Sequence, residues 1–130
     1  MTTQSFADYA AQKDAQNTIE LNIRKYCLML CECLLENFKS RNNGKVGGYD
    51  APEYKFYIET ARKYHKVWME TDSGSRSIHA FVDKKTGEVY KPASVKAPAK
   101  GVRYNMLLIN SREEMFRRAD WAGGYLYMKG

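Results

Sequence analysis

The stretch YKFYIETARKYHKVWMETDSGSRSIHAFVDKKTGEVY, residues 54 to 90, decides the fold. From Tyr54 the apolar period is two. Tyr54, Phe56 and Ile58 alternate with Lys55, Tyr57 and Glu59, and the alternation resumes in YHKVWMET, residues 64 to 71. Successive side chains of a strand point to opposite faces, so this pattern predicts half-buried strands. DSGS, residues 72 to 75, has turn chemistry, with Gly74 able to take positive φ. SIHAFVD (77 to 83) reads as the next strand and KKTG (84 to 87) as the next turn, and EVY begins a short fourth strand. Turn-linked segments in chain order predict an antiparallel meander.

Toward the N-terminus the period changes. In residues 18 to 39, TIELNIRKYCLMLCECLLENFK, the residues Ile19, Ile23, Tyr26, Cys27, Leu30, Leu34 and Phe38 recur at spacings of three and four, which predicts a helix with a wide apolar stripe. Thr18 is the expected N-cap, and Asn42, Asn43 and Gly44 the expected end. Leu28, Met29 and Leu35 widen the apolar coverage beyond what one sheet face buries, and that surplus predicts at least a dimer. Residues 5 to 16 also read as helical, with weaker periodicity, and VGGYDAP (46 to 52) is a break.

Toward the C-terminus, YNMLLI is a short apolar run. SREEMFRRAD (111 to 120) starts a helix, with Ser111 and Glu114 at capping-box spacing. Gly123 and Gly124 are expected to stop that helix, and YLY to form a final edge strand. The class is α+β: N-terminal helices, an antiparallel β-meander and a short C-terminal helix. At 130 residues this predicts one domain, 1–130, with a helical part over about 5–40, sheet and loop over about 54–110, and the last helix over about 111–120.

An apolar fraction of 44% with 13% aromatics excludes a disordered chain. No run of about 18 apolar residues occurs, so no membrane span is expected. MTTQSFADYAAQKDAQ lacks a basic region followed by an apolar one, so no secretory signal is expected there. The compartment is then a reducing one, and Cys27, Cys31 and Cys33 are expected as free thiols.

Charge is concentrated in FVDKKTGEVYKPASVKAPAKGVRYN, residues 81 to 105. It carries Lys84, Lys85, Lys91, Lys96, Lys100 and Arg103 against Asp83 and Glu88, a net +4 within a chain of +6. Pro92 and Pro98 each remove a backbone donor and push the preceding residue out of helical space, so the second half of this stretch is an irregular cationic loop. Loops held by a rigid scaffold are where binding groups concentrate, and a local positive field selects anionic partners. Phe81 and Tyr90, from the flanking strands, offer stacking faces. Lys91, Lys96, Lys100 and Arg103 offer cations for phosphate, Arg103 in bidentate fashion. Ser94 and Asn105 offer neutral hydrogen bonds, and the backbone N–H groups around Ala93 and Ala97 are further expected donors. The competing reading of the lysines is a solvated loop that protects a sheet edge, with Phe81 in the core.

Catalytic equipment is sparse. Zinc ligands come as CxxC or HxxxH pairs, whereas Cys31 and Cys33 point to different helix faces, so no metal and no cofactor is expected. A cysteine nucleophile needs an accessible thiolate oriented by a base, and neither GxSxG nor a P-loop occurs. Asp72, Asp83 and Glu88 sit at turns, where carboxylates cap backbone groups. No enzyme is expected.

The run VDKKTGEVYKPASVKAPAKGVRYN resembles a motif of small phage-encoded proteins: an aromatic-bearing strand, a TGxVYKPAS turn and strand, then KAPAKGxRxN. In size, helix-then-sheet order and placement of this loop, the chain also resembles the Thoeris anti-defence sponge of the first type. The likeness covers residues 54 to 105 well and the rest loosely. It implies a phage protein in the host bacterial cytoplasm that sequesters a cyclic ADP-ribose isomer, an immune signal, without cleaving it. Some family members also take up cyclic oligonucleotides in a separate pocket. The resemblance implies adenine stacking by Phe81 and a phosphate grip by Arg103. It also implies an oligomer, a dimer or a hexamer built as a trimer of dimers; Arg24, a cation on a helix expected near the interface, and Met106 are the expected contacts at a secondary site. Two alternatives remain: a single-stranded nucleic-acid-binding accessory protein, which a pI near 9.2 and a tyrosine-rich sheet beside a basic loop favour, and an inhibitor of a host protein.

Overall fold

The computed structural model describes residues 5–42, 45–46, 49–50 and 53–127. One helix, α1 (Phe6–Asn42), runs over 37 residues, about 55 Å at the usual rise. The two expected N-terminal helices are therefore continuous. No Gly or Pro lies between Phe6 and Asn42 to interrupt the backbone ladder. Ser5, not Thr18, caps the start: the Asp8 amide donates to Ser5 Oγ at 3.1 Å. Thr18 sits inside the helix and its hydroxyl donates back to the Asp14 carbonyl, the local bond that helix-interior threonines make. Asn42 ends the helix; Asn43 and Gly44 lie outside the described residues, as do Gly47, Gly48, Ala51 and Pro52 of the expected break. Within that break, β1 (Lys45–Val46) and β2 (Tyr49–Asp50) pair as a short hairpin.

The meander is present. Strands β3 (Tyr54–Thr60), β4 (Tyr64–Thr71), β5 (Arg76–Asp83), β6 (Glu88–Tyr90) and β7 (Tyr104–Asn105) lie side by side in chain order, every neighbour antiparallel. The turns are as their residues require. Gly74 and Gly87 take φ of 88° and 76°, and Asp83 Oδ1 accepts the amides of Lys85 and Thr86. A register shift between Val67 and Trp68, whose partners are Ala80 and Ile78, marks a bulge at His79 of β5. This is an α+β fold: a long N-terminal helix, a five-stranded antiparallel sheet and a short C-terminal helix.

The core lies between α1 and one sheet face. Ile23, Cys27, Leu30 and Leu34 of the helix are fully or almost fully buried with Val67, Ala80, Val82 and Val89 of the sheet. Each aliphatic side chain so buried is worth about 1.5–3 kcal/mol. Phe38 stacks on Tyr54 at 4.1 Å between ring centroids, and Trp121 meets both rings edge-on.

Helix α2 spans Ile109–Arg118, two residues earlier than expected, and forms no side-chain cap. Its N-cap is Leu108, which has no polar side chain, and Ser111, inside the first turn, accepts the Asn105 amide on Oγ at 2.8 Å, which ties the end of β7 to the helix. It stops at Arg118, ahead of Gly123 and Gly124. The expected YLY edge strand is instead part of a 3₁₀ turn, Gly124–Leu126, entered through Gly123 at φ 84°. Tyr125 is drawn inward by bonds: its hydroxyl shares a 2.8 Å hydrogen bond with His79 Nε2, and its carbonyl accepts the Tyr104 hydroxyl. No helix among the described residues is long and apolar enough to cross a membrane.

Candidate functional site

Strand alternation puts Val67, Val82 and Val89 on the helix side, so Lys66, Phe81 and Tyr90 share the outer face. Register makes them direct neighbours, Lys66 opposite Phe81 and Phe81 opposite Tyr90. Tyr64 closes the group, its ring edge-on to Phe81 at 5.5 Å and to Tyr90 at 6.2 Å.

The cationic loop leaves β6 at Tyr90 and is organised by its own backbone. Pro92 and Pro98 bridge, the Ala99 amide donates to the Lys91 carbonyl, and the amides of Ala93 and Ser94 both donate to the Ala97 carbonyl. These last bonds correct one expectation, because the Ala93 donor is consumed within the loop. Lys66 reaches up from β4, lying 5.8 Å from the Phe81 ring centroid and donating from Nζ to the Val95 carbonyl at 2.9 Å. The loop tip is thereby latched to the outer face.

Phe81 is 0% exposed. In this arrangement it presents no face to a ligand, so it does not serve as an open stacking platform; its ring packs with Tyr64 and beneath Lys66. Tyr90 is half-buried, and burial first, then Glu88, raises its hydroxyl pKa, so it stays a neutral donor. Ser94 Oγ accepts the Lys96 amide, and Asn105 Oδ1 accepts the Leu107 amide. Both side chains are partly occupied by local turns.

The cations differ from these. Lys96 and Lys100 are exposed, and Lys91 and Arg103 half-buried. The ion pairs among the described residues are Arg76–Glu59 and Arg118–Glu114, so none of the four loop cations has a carboxylate partner. The acids of the same stretch act elsewhere: Asp83 caps its turn and Glu88 Oε1 accepts the Thr86 hydroxyl. Arg103 Nε is buried and without a hydrogen-bond partner. Gly101, at φ 98°, lies so close that an added Cβ would stand 3.2 Å from Arg103 Nη1. Lys91 Nζ lies 4.2 Å from the Tyr127 ring centroid, and that ring is 62% exposed.

Sequence reasoning missed Lys66 and Tyr127. Lys66 lies directly opposite Phe81, a relation visible only once β4 and β5 are paired. Tyr127 comes to the loop because the chain's last described turn folds back, where a strand was expected.

The two residues suggested for a secondary site are not brought together. Arg24 is exposed and lines an open cleft of about 450 Å³ with Glu20, Thr60, His65 and Lys84. Met106 is fully buried and does not line that cleft; it accepts the Cys27 thiol at 3.9 Å. Met106 is thus a core residue, held there because the turn after β7 faces α1.

Burial shifts the titration of the cysteines and histidines. Burial pushes the Cys27 and Cys31 thiols up to about 12. Burial lowers His79 to about 4. His65 is lowered too, by burial and then by Lys84 and Arg24, with Nδ1 bonded to the Thr60 hydroxyl. Among the described residues no three His, Cys, Asp or Glu side chains cluster as a metal ion requires.

No curated protein and no solved structure matches the chain. A family model does match, over residues 6–128. The chain therefore belongs to DUF7717, a family of unknown function.

Proposed function

We propose that this protein binds a small cyclic nucleotide, of the cyclic ADP-ribose isomer class, through the cationic loop, and sequesters it without cleaving it. The observation that carries the reading is the set of Lys91, Lys96, Lys100 and Arg103, gathered on one loop with no carboxylate partner among the described residues while the local acids are committed to turns. Such cations are available for charge-assisted bonds to phosphate. Arg103 is the strongest of them, because its planar guanidinium can hold two oxygens of one phosphate. Tyr90 and Tyr127 border the same loop and offer ring faces for a purine. Phe81 joins them only if the Val95 tip lifts from Lys66. A protein of this kind in the cytoplasm of an infected bacterium would remove an immune signal, which is the role that the motif resemblance implies.

Arg103→Ala tests the reading in calorimetric titration with a cyclic ADP-ribose isomer. Loss of a charge-assisted bond costs about 1.5–3 kcal/mol, roughly 10- to 150-fold in affinity. The melting temperature is expected to stay at the wild-type value, and the loss to shrink as salt rises. Wild-type affinity in Arg103→Ala would remove Arg103 from the site. Single-stranded nucleic acid is the second reading, favoured by the same cations. It predicts retention of oligonucleotides on a filter at low salt, falling steeply as salt rises.

A further inference from the structure

Beside the cationic loop lies a small cavity of about 90 Å³, walled in part by Ser77 and His79 of β5, Pro92 of the loop, and Trp121, Gly123 and Tyr127 of the C-terminal segment. A single ordered water needs about 10–15 Å³, and a pocket that encloses a whole small ligand about 300–1,000 Å³. The space therefore suits one edge of a ring and not a whole nucleotide.

His79 reaches this wall because β5 is irregular there. Ile78 and Ala80 face Trp68 and Val67, which are consecutive in β4, so His79 is the extra residue of the bulge. Bulges re-aim a side chain. His79 is only 7% exposed, and its Nε2 shares the 2.8 Å hydrogen bond with the Tyr125 hydroxyl. A phenol is the stronger donor of the two and an imidazole nitrogen the stronger acceptor, so the tyrosine donates. The neutral ring then carries its hydrogen on Nδ1. That donor has no hydrogen-bond partner among the described residues. A Cβ added at Gly123 would stand 3.8 Å from Nδ1, so the bare glycine keeps this edge of the imidazole open to the cavity. A buried donor left unpaired is costly, and a ligand acceptor would satisfy it.

The remaining walls suit a flat ring. Trp121 is half-buried and Tyr127 exposed, and Pro92 adds an apolar surface. Lys91 Nζ lies over the Tyr127 ring, so Lys91 and Tyr127 join the cavity to the cations of the loop.

We propose that this cavity is the base-recognition subsite of the cationic loop. It takes the edge of a purine, a ring nitrogen of which accepts from His79 Nδ1, while the phosphates stay on the loop. This rests on the cyclic-nucleotide reading above, and the test keeps the two apart. Adenosine, which has no phosphate, probes the cavity alone. In the full chain with isotope-labelled histidine nitrogens, adenosine should shift the nuclear magnetic resonance signals of His79 and leave those of His65 in place. Adenosine monophosphate should bind roughly tenfold or more tightly than ribose phosphate, which carries the same phosphate without the base. Ser77→Phe, at an exposed position of the rim, should remove that advantage and leave the melting temperature and ribose phosphate binding as in wild type. Arg103→Ala should weaken both phosphates alike and leave the adenosine shift unchanged. His79 signals that stay in place at millimolar adenosine, or an advantage of adenosine monophosphate that survives Ser77→Phe, would overturn the proposal. A His79 shift with adenosine, but no gain for adenosine monophosphate over adenosine, would support the cavity and overturn the cationic-loop reading.

Discussion

Acidification from pH 7 to pH 4 is expected to cost the fold roughly 3 kcal/mol through His79 alone. Burial, opposed only in part by Asp120, lowers His79 from 6.5 to about 4 in the folded protein. Its imidazole is bonded to the Tyr125 hydroxyl and lies edge-on to Phe56. Between those two pKa values the unfolded chain binds a proton that the folded chain refuses. Stability from this residue is therefore complete above about pH 6.5, falls as the pH drops through that window, and levels off below about 4. His65 is shifted in the same direction, so the wild-type slope exceeds the His79 share. Denaturant unfolding of wild type and His79→Phe over a pH series isolates that share. The variant leaves the Tyr125 hydroxyl unpaired and should be less stable at neutral pH, but it should lose less on acidification. Equal slopes for the two proteins would mean that His79 titrates normally in the fold.

Phe81→Ala is expected to destabilise the protein by about 3–5 kcal/mol, the usual cost of emptying a buried aromatic site. The side chain is fully buried beneath Lys66 and against Tyr64, and domains of this size have only about 5–15 kcal/mol to lose. Loss of ligand binding in this variant would thus report on the fold and not on a stacking contact. Tyr90→Ala, at a half-buried position, is the more informative test of stacking, worth on the order of 1–3 kcal/mol per base. Thermal melts beside calorimetric titrations separate the two effects. A Phe81→Ala protein that melts like wild type yet fails to bind would reverse this assignment and make Phe81 a ligand contact.

The sheet was legible because period-two alternation and turn chemistry agreed at every step from Tyr54 to Tyr90. The errors lie where a local signal met a tertiary partner. Ser111 and Glu114 have capping-box spacing, yet the Ser111 hydroxyl is taken by the Asn105 amide, which no local pattern reveals. YLY has strand composition, but the bonds of Tyr125 to His79 and Tyr104, both distant in sequence, draw it into a 3₁₀ turn. Thr18 looked like a cap only because the periodicity before it is weak, though no breaker precedes it. For the candidate site, the loop and its cations were visible as composition. Sequence could not show that the loop folds back over its own strand, which buries Phe81 and recruits Lys66 and Tyr127.

The central claim is that the cationic loop holds a phosphate-bearing cyclic nucleotide and leaves it chemically unchanged. The most direct test incubates the full chain with a cyclic ADP-ribose isomer, removes free ligand by gel filtration, denatures the protein by heat and identifies the released molecule by mass spectrometry. The predicted result is intact ligand in amounts that scale with the protein, and much less from Arg103→Ala carried through the same steps. Recovery of a hydrolysed product, or of no ligand at all from the wild-type chain, would contradict it.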